Sequence, residues 1–130
     1  MRKDLWDRVE ALERDLKLLK SLRLEVEQYL SQHSDPVPEG LGNIIGMIEA
    51  VVSFIETLSK EQIDDLNSIG CDLEIEYAWA LSEQRGFGKK AKRRVREAIE
   101  ALLGFLDEQI HYIENESYTL WEQIGHESGL

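Results

Sequence analysis

Two long stretches of the sequence carry apolar residues at alternating spacings of three and four, and this pattern limits the fold more than any other feature. In the first stretch, residues 5–33, the columns are Leu5, Leu12, Leu19, Val26 and Val9, Leu16, Leu30. In the second stretch, residues 99–124, the columns are Ile99, Leu106, Ile113, Leu120 and Leu103, Ile110, Ile124. Because this spacing places apolar side chains along one face of an α-helix, the sequence predicts long, coiled-coil-like first and last helices.

The residues between these stretches predict two further helices. Pro36 and Pro38 fall in residues 34–40, which we expect to be a loop because proline donates no backbone hydrogen bond. Residues 41–58 are apolar or small at nearly every position, as in a central buried helix. Ser59 followed by Gln62 has the pattern of a capping box, which would start the next helix. The predicted helices are 2–33, 41–58, 60–85 and 89–125, with a turn at 86–88.

Residues 73–81 also alternate between apolar and polar or small residues, which is the period of a β-strand. We predict a helix here, because a single strand would have no partner for its backbone groups. Ala78 and Ala80 also favour a helix over a strand. The expected fold is therefore an all-α bundle of about four helices.

The length of 130 residues fits one domain, and we expect residues 1–130 to fold as a single unit. Cys71 is the only cysteine, which suits a reducing compartment. The N-terminus has no apolar signal-peptide core. The most apolar window, 41–58, contains Glu49 and Glu56 and is short for a membrane span. These features predict a cytoplasmic protein with no membrane contact.

The predicted helices differ in length, from about 27 Å for the second to about 55 Å for the last. A closed four-helix bundle needs helices of similar length, so part of the apolar seam on the long helices should extend past the second helix. We expect a second copy of the chain, or another protein, to cover this overhang. The candidate seam residues are Leu5, Trp6, Val9, Leu12, Leu16, Leu19, Ile113, Leu120 and Trp121.

Charge is distributed unevenly along the chain, whose net charge is −11. All charged residues of 86–96 are cations, and together they form the basic cluster: Lys89, Lys90, Lys92, Arg93, Arg94 and Arg96. If the third and fourth helices form a hairpin about Phe87, residues 78–85 lie opposite, where Glu83 and Arg85 cancel. The hairpin would then supply no counter-charge. The basic cluster would face solvent, an acid elsewhere in the fold, another protein or a nucleic acid.

Two short motifs are similar to halves of known carboxylate sites. Glu108-x-x-His111 resembles half of the metal motif of ferritin-like di-iron bundles, but a second such pair is absent. Glu97-x-x-Glu100 resembles the first half of the signature of MazG-type nucleotide pyrophosphohydrolases, whose Glu-x-x-Asp half is absent. The sequence has no phosphate-binding glycine loop and no nucleophile elbow. We expect no enzymatic activity, cofactor, metal site or small-molecule substrate.

The sequence therefore predicts a non-enzymatic helical interaction module, such as a regulator, adaptor, inhibitor or small assembly subunit. We expect it to bind itself, another protein or both. One alternative is a nucleic-acid-associated protein that uses residues 89–96. A second alternative is an acidic mimic of nucleic acid, in which carboxylates of 61–83 and 97–127 block a DNA- or RNA-binding partner.

Overall fold

The structure is a computed structural model that describes residues 3–84 and 86–127 and contains four α-helices and no strand in that part of the chain. The helices are α1 (Lys3–Gln32), α2 (Leu41–Phe54), α3 (Lys60–Ser82) and α4 (Lys89–Glu127). α1 packs against α2 and α4, and α3 packs against the same two helices. The result is an antiparallel, up-down-up-down bundle, which confirms the predicted all-α class. Arg2 and Arg85, which the predicted helices included, lie outside the described residues.

The helical prediction for residues 73–81 is confirmed, and its packing shows why the strand-like alternation is misleading. Leu73 and Ala80, seven residues apart, are both buried in the bundle core. This is the spacing of one helix face, whereas a strand would place them on opposite faces. The predicted capping box is also present: Gln62 N–H donates to Ser59 Oγ, and Ser59 N–H donates to the Gln62 side chain.

The loop between α1 and α2 is tied to α1 by a buried tyrosine. The Tyr29 hydroxyl donates to the Val37 carbonyl at 2.6 Å and accepts from the Val37 N–H at 2.9 Å. Pro36, beside it, is buried. The loop therefore closes this end of the bundle instead of extending into solvent.

α2 ends at Phe54, four residues before the predicted end at 58, because a residue of α1 binds the backbone just beyond it. Asp15 is fully buried and accepts hydrogen bonds from the backbone N–H groups of Glu56 and Thr57, at 3.1 and 2.6 Å. It also accepts one from the Thr57 hydroxyl. These donors face Asp15 instead of the preceding turn of α2, so the helix stops although residues 55–58 are compatible with helix.

The α1 seam was predicted correctly in part. Four of its members are buried as expected, namely Val9, Leu12, Leu19 and Val26, whereas Leu5 and Leu16 are half-buried and Leu30 is exposed. The second buried column consists of Asp15, Leu22 and Tyr29. Asp15 and Tyr29 contact the segments after and before α2, so this column is the side of α1 that packs on α2. An interpretation of the seam as the contact of α1 with one other helix does not include α2 as a second neighbour.

Residues 3–11 of α1 and 114–127 of α4 extend past α2 and α3 as a two-helix segment, here called the stalk. Its two open sides are closed by contacts between the long helices. On one side Trp6 and Trp121 pack edge to face with ring centroids 5.1 Å apart, and the Trp121 indole N–H donates to Glu13. On the other side Arg8 forms an ion pair with Glu116 at 3.0 Å.

All of the candidate seam residues except Trp121 are therefore at least half-buried within the chain. Val9, Leu12, Leu19 and Ile113 are buried, Leu5, Trp6, Leu16 and Leu120 are half-buried, and Trp121 is 43% exposed. The long helices extend past α2 together and pack on each other, so much of the predicted overhang is covered within the chain. Coverage by a second copy or another protein stays a prediction. A search of the described helices for a segment long and apolar enough to cross a membrane finds none.

Candidate interaction surface

The basic cluster lies at the start of α4, next to the end of α3. Phe87, in the connection between the two helices, is buried and holds this connection against the bundle. α4 then begins at Lys89, and its first turn contains no acidic residue. The cations therefore lie where the helix dipole is itself positive, which adds an unfavourable interaction to their mutual repulsion. We use the name hairpin end for three consecutive segments taken together. They are the part of α3 from residue 71 onward, the connection between α3 and α4, and residues 89–98 of α4.

Three cations of the basic cluster have acidic partners in the fold. Arg94 forms an ion pair with Glu76 of α3 at 3.1 Å, and Glu76 is only 8% exposed. Lys92 and Arg96 both lie near Asp35 in the loop before α2, at 3.5 and 3.4 Å. The prediction that the hairpin supplies no counter-charge was therefore wrong. Glu76 lies just before residues 78–85, and its carboxylate reaches the second turn of α4.

The other three cations, Lys89, Lys90 and Arg93, are exposed and form no ion pair with any residue that the structure describes. Because Lys92 and Arg96 share Asp35, two carboxylates neutralise about a third of the charge of the basic cluster. A local excess of positive charge remains on a chain whose net charge is −11. Such an excess attracts anionic groups over distances up to about 10 Å at moderate salt.

An apolar patch lies beside these cations on the outward face of α3. We call it the α3 patch, and its members are Cys71, Ile75, Ala78, Trp79 and Ser82. Ile75 is 54% exposed and Trp79 is 63% exposed. Trp79 also borders a shallow depression with Phe87 and Ala91, so it lies next to the start of α4. Exposed apolar side chains this large are unusual when they lie side by side.

The exposure of Trp79 was not predicted, although the sequence contains a signal for it. Leu66, Leu73, Tyr77 and Ala80 repeat at helical spacing and form a seam of buried or half-buried side chains on α3. Ile75 and Trp79 fall outside that seam and are four residues apart, so they share the opposite face of the helix. Two large apolar residues on the face opposite the seam indicate an exposed apolar surface, and this pattern is visible in the sequence.

A groove runs between α3 and α4 next to the α3 patch. It has a volume of about 480 Å³ and is lined by Asp72, Ile75, Glu76, Arg94, Glu97 and Ala98. Its walls carry both signs of charge, because Arg94 and Glu97 line it from α4 and Asp72 and Glu76 line it from α3, beside the apolar Ile75 and Ala98. The groove is large enough for an aromatic side chain and offers both apolar contact and a cation.

Three acidic residues of α4 form ion pairs with α1. Asp107 pairs with Arg23 at 3.1 Å, Glu114 with Lys20 at 3.4 Å, and Glu116 with Arg8. These carboxylates hold α1 and α4 together on the surface, and they are less available to imitate the phosphates of a nucleic acid.

The two carboxylate motifs lie on the surface as separate residues. Glu108 and His111 are exposed, and the His111 ring contacts Asn115 at 3.2 Å. Glu97 and Glu100 are exposed as well. Residues 3–84 and 86–127 contain no group of three or more histidine, cysteine, aspartate or glutamate side chains placed to hold a metal ion. Comparison with known proteins finds no matching family model, curated protein or solved structure.

Proposed function

We propose that this protein is a non-enzymatic helical interaction module that binds another protein through its hairpin end. The observation that carries the proposal is the exposed Trp79 beside Lys89, Lys90 and Arg93, the cations that lack an ion pair in the described fold. Regulators, adaptors, inhibitors and small assembly subunits all act by presenting such a surface.

The composition of the hairpin end matches that of binding hot spots. Tryptophan and arginine are enriched where truncation to alanine weakens protein complexes most, because both combine a large contact area with a polar group. Trp79 supplies the apolar area and the unpaired cations supply charge at its edge. A partner with an apolar anchor and acidic residues around it would complement both features.

Capture from extracts of the native cell tests this proposal. The variant Lys89→Glu with Arg93→Glu reverses two unpaired cations, and Lys17→Glu with Lys60→Glu reverses two exposed lysines on α1 and α3 that also form no ion pair in the described fold. We expect one protein to be retained by the wild type and by the Lys17/Lys60 control but lost with the Lys89/Arg93 variant. The purified protein should then bind the wild type directly.

Trp79→Ala should lose the same protein, whereas Tyr112→Ala should retain it. Tyr112 is 61% exposed, close to the exposure of Trp79, but lies on α4 away from the hairpin end. If both aromatic variants bind equally, Trp79 is not part of the binding surface and the proposal fails.

A nucleic acid is the second candidate, because unpaired cations beside an exposed tryptophan also suit a single strand whose bases stack on aromatic rings. Fluorescence anisotropy with a labelled single-stranded RNA and its DNA counterpart distinguishes the two. If the hairpin end binds nucleic acid, affinity should fall steeply between about 50 and 200 mM salt and be lost in the Lys89/Arg93 variant. If it binds protein, the wild type should show no binding at about 150 mM salt.

A further inference from the structure

We infer that a second copy of this chain docks antiparallel on the α3 patch, with Trp79 of each copy in the groove of the other. This inference rests on the proposed function, since it names one occupant of the same hairpin end. It predicts a two-fold symmetric dimer in which α3 of one copy lies alongside α3 of the other. The α3 patch is exposed in the single chain.

The spacing of the α3 patch suits such pairing. Cys71, Ile75, Ala78 and Ser82 follow one another at intervals of four, three and four, which read the same in both directions. In an antiparallel two-fold pair, Cys71 therefore lies level with Ser82 of the second copy and Ile75 with its Ala78. An isologous contact requires this self-complementary order. The small side chains at 71, 78 and 82 allow the two helices to approach closely around Ile75.

The same register brings Trp79 to the groove between α3 and α4. Trp79 lies on the α4 side of the patch, where it borders a depression with Ala91. In the two-fold symmetric pair, Trp79 is level with residue 74 of the second copy. The groove is at that height, because Asp72 and Ile75 line it from α3 and Glu97 and Ala98 from α4. Each tryptophan would bury its ring there, within reach of the Arg94 guanidinium.

The charges around the patch favour the antiparallel arrangement over a parallel one. Arg94 pairs with Glu76, which fixes the register of α4 against α3. Lys90 is one turn before Arg94 and therefore level with about residue 80 of α3. The two-fold axis places Lys90 opposite residue 73 of the second copy. Glu97 of the second copy is at the same height along the bundle as that residue. A parallel pair would instead place the two α4 helices on opposite sides of the α3 contact, so Lys90 would not lie near Glu97 of the second copy.

The patch from Cys71 to Ser82 is only about 17 Å long, so the contact is small and the dimer should dissociate on dilution. Sedimentation equilibrium from about 10 µM to about 1 mM is the first test, and we expect a reversible monomer–dimer equilibrium. A monomer throughout this range would overturn the inference. Trp79→Ala should weaken the dimer by about 10-fold or more, because aromatic anchors dominate such contacts.

Ser82→Cys tests the register with the native Cys71. Mild oxidation should link Cys71 of each copy to the new cysteine of the other, giving a covalent dimer on a non-reducing gel, with the linkage mapped by mass spectrometry. Ser68→Cys is the matched control, because residue 68 is exposed on the same helix but lies about 21 Å out of register with Cys71 of the second copy. Equal cross-linking of the two variants would overturn the antiparallel register.

Exchange of charge tests the symmetry without changing the apolar contact. Lys90→Glu alone should weaken the dimer by about 5- to 10-fold, since the contact with Glu97 occurs twice. Lys90→Glu with Glu97→Lys should restore the dimer to within about 2-fold of the wild type. Failure of the double variant to restore it would contradict the proposed pairing.

These outcomes are separable from those of the proposed function. Lys89 and Arg93 lie outside the proposed dimer contact, so the Lys89/Arg93 variant should dimerise normally while losing a foreign partner. A monomeric wild type that still loses its partner with Trp79→Ala would refute the dimer alone. A dimer that captures no other protein from native extracts would refute the proposed foreign partner alone.

Discussion

At the stalk, two helices pack without neighbours and yet their tryptophans contact each other, whereas at the hairpin end four helices meet and Trp79 stays 63% exposed. Trp6 packs against Trp121, and the pair is flanked by the Trp121 hydrogen bond to Glu13. Trp79 has no aromatic neighbour of this kind in the described fold. The exposure of Trp79 is thus not a result of too few helices, since it occurs where four helices meet. It agrees with the proposed binding surface.

The largest expected effect is on the free energy of unfolding and concerns Asp15, which binds the backbone just beyond the end of α2. Asp15→Ala removes the acceptor for the N–H groups of Glu56 and Thr57 and leaves these donors without their buried partner. We expect a loss of about 3 kcal/mol in the free energy of unfolding. Urea denaturation followed by circular dichroism measures it. Asp35→Ala, which removes an exposed carboxylate, is the control and should change stability by less than about 1 kcal/mol.

The second prediction compares the two tryptophan environments directly. Trp6→Ala should cost about 2 kcal/mol, because it removes an aromatic contact and uncovers the stalk seam. Trp79→Ala should change stability by less than about 0.5 kcal/mol, since most of the ring is already in solvent. Both values come from urea denaturation at low protein concentration. Equal losses would mean that Trp79 has a structural role, and the contrast between the two ends would disappear.

The third prediction addresses how Tyr29 holds the loop between α1 and α2 against the bundle. Burial raises the pKa of the Tyr29 phenol above its usual value, so the folded state favours the neutral form. This contribution is complete below pH about 10 and is lost as the pH rises through the folded-state pKa. Tyr29→Phe should cost about 1 kcal/mol at neutral pH and flatten the alkaline part of the stability profile. An unchanged alkaline slope in this variant would assign the loss to other groups.

The smallest expected effect concerns the ion pair that closes the other side of the stalk. Arg8 and Glu116 form a bidentate pair, but both side chains are partly exposed. A double-mutant cycle with Arg8→Ala and Glu116→Ala should give a coupling of about 0.5 kcal/mol that falls at high salt. A coupling near zero would leave the tryptophan pair as the main contact that closes the stalk.

The predicted fold follows from local patterns that the structure keeps. The capping box at Ser59 and the prolines of residues 34–40 mark boundaries that depend on neighbouring residues, and both predictions match the structure. The end of α2 was missed because it depends on Asp15, about 40 positions earlier in the chain. The second column of the α1 seam was missed for a related reason, since it depends on which helices become neighbours.

The candidate site was predicted in part. The basic cluster was identified from its composition, but its ion pairs with Glu76 and Asp35 come from tertiary packing and are not visible in the order of residues. The exposure of Trp79 was missed because tryptophans are more often buried. Charge runs are visible in a sequence, whereas their degree of neutralisation is decided by the fold.

The hydrogen bonds of Asp15 have a consequence for fragments of this protein. Residues 55–58 are apolar or helix-compatible, and the cap at Ser59 acts only on the helix that begins after it. In a peptide that contains α2 and α3 but lacks α1, nothing would hold the Glu56 and Thr57 N–H groups away from the preceding turn. The break between the two helices is therefore a property of the assembled chain. Truncation from the N-terminus would change secondary structure far from the cut.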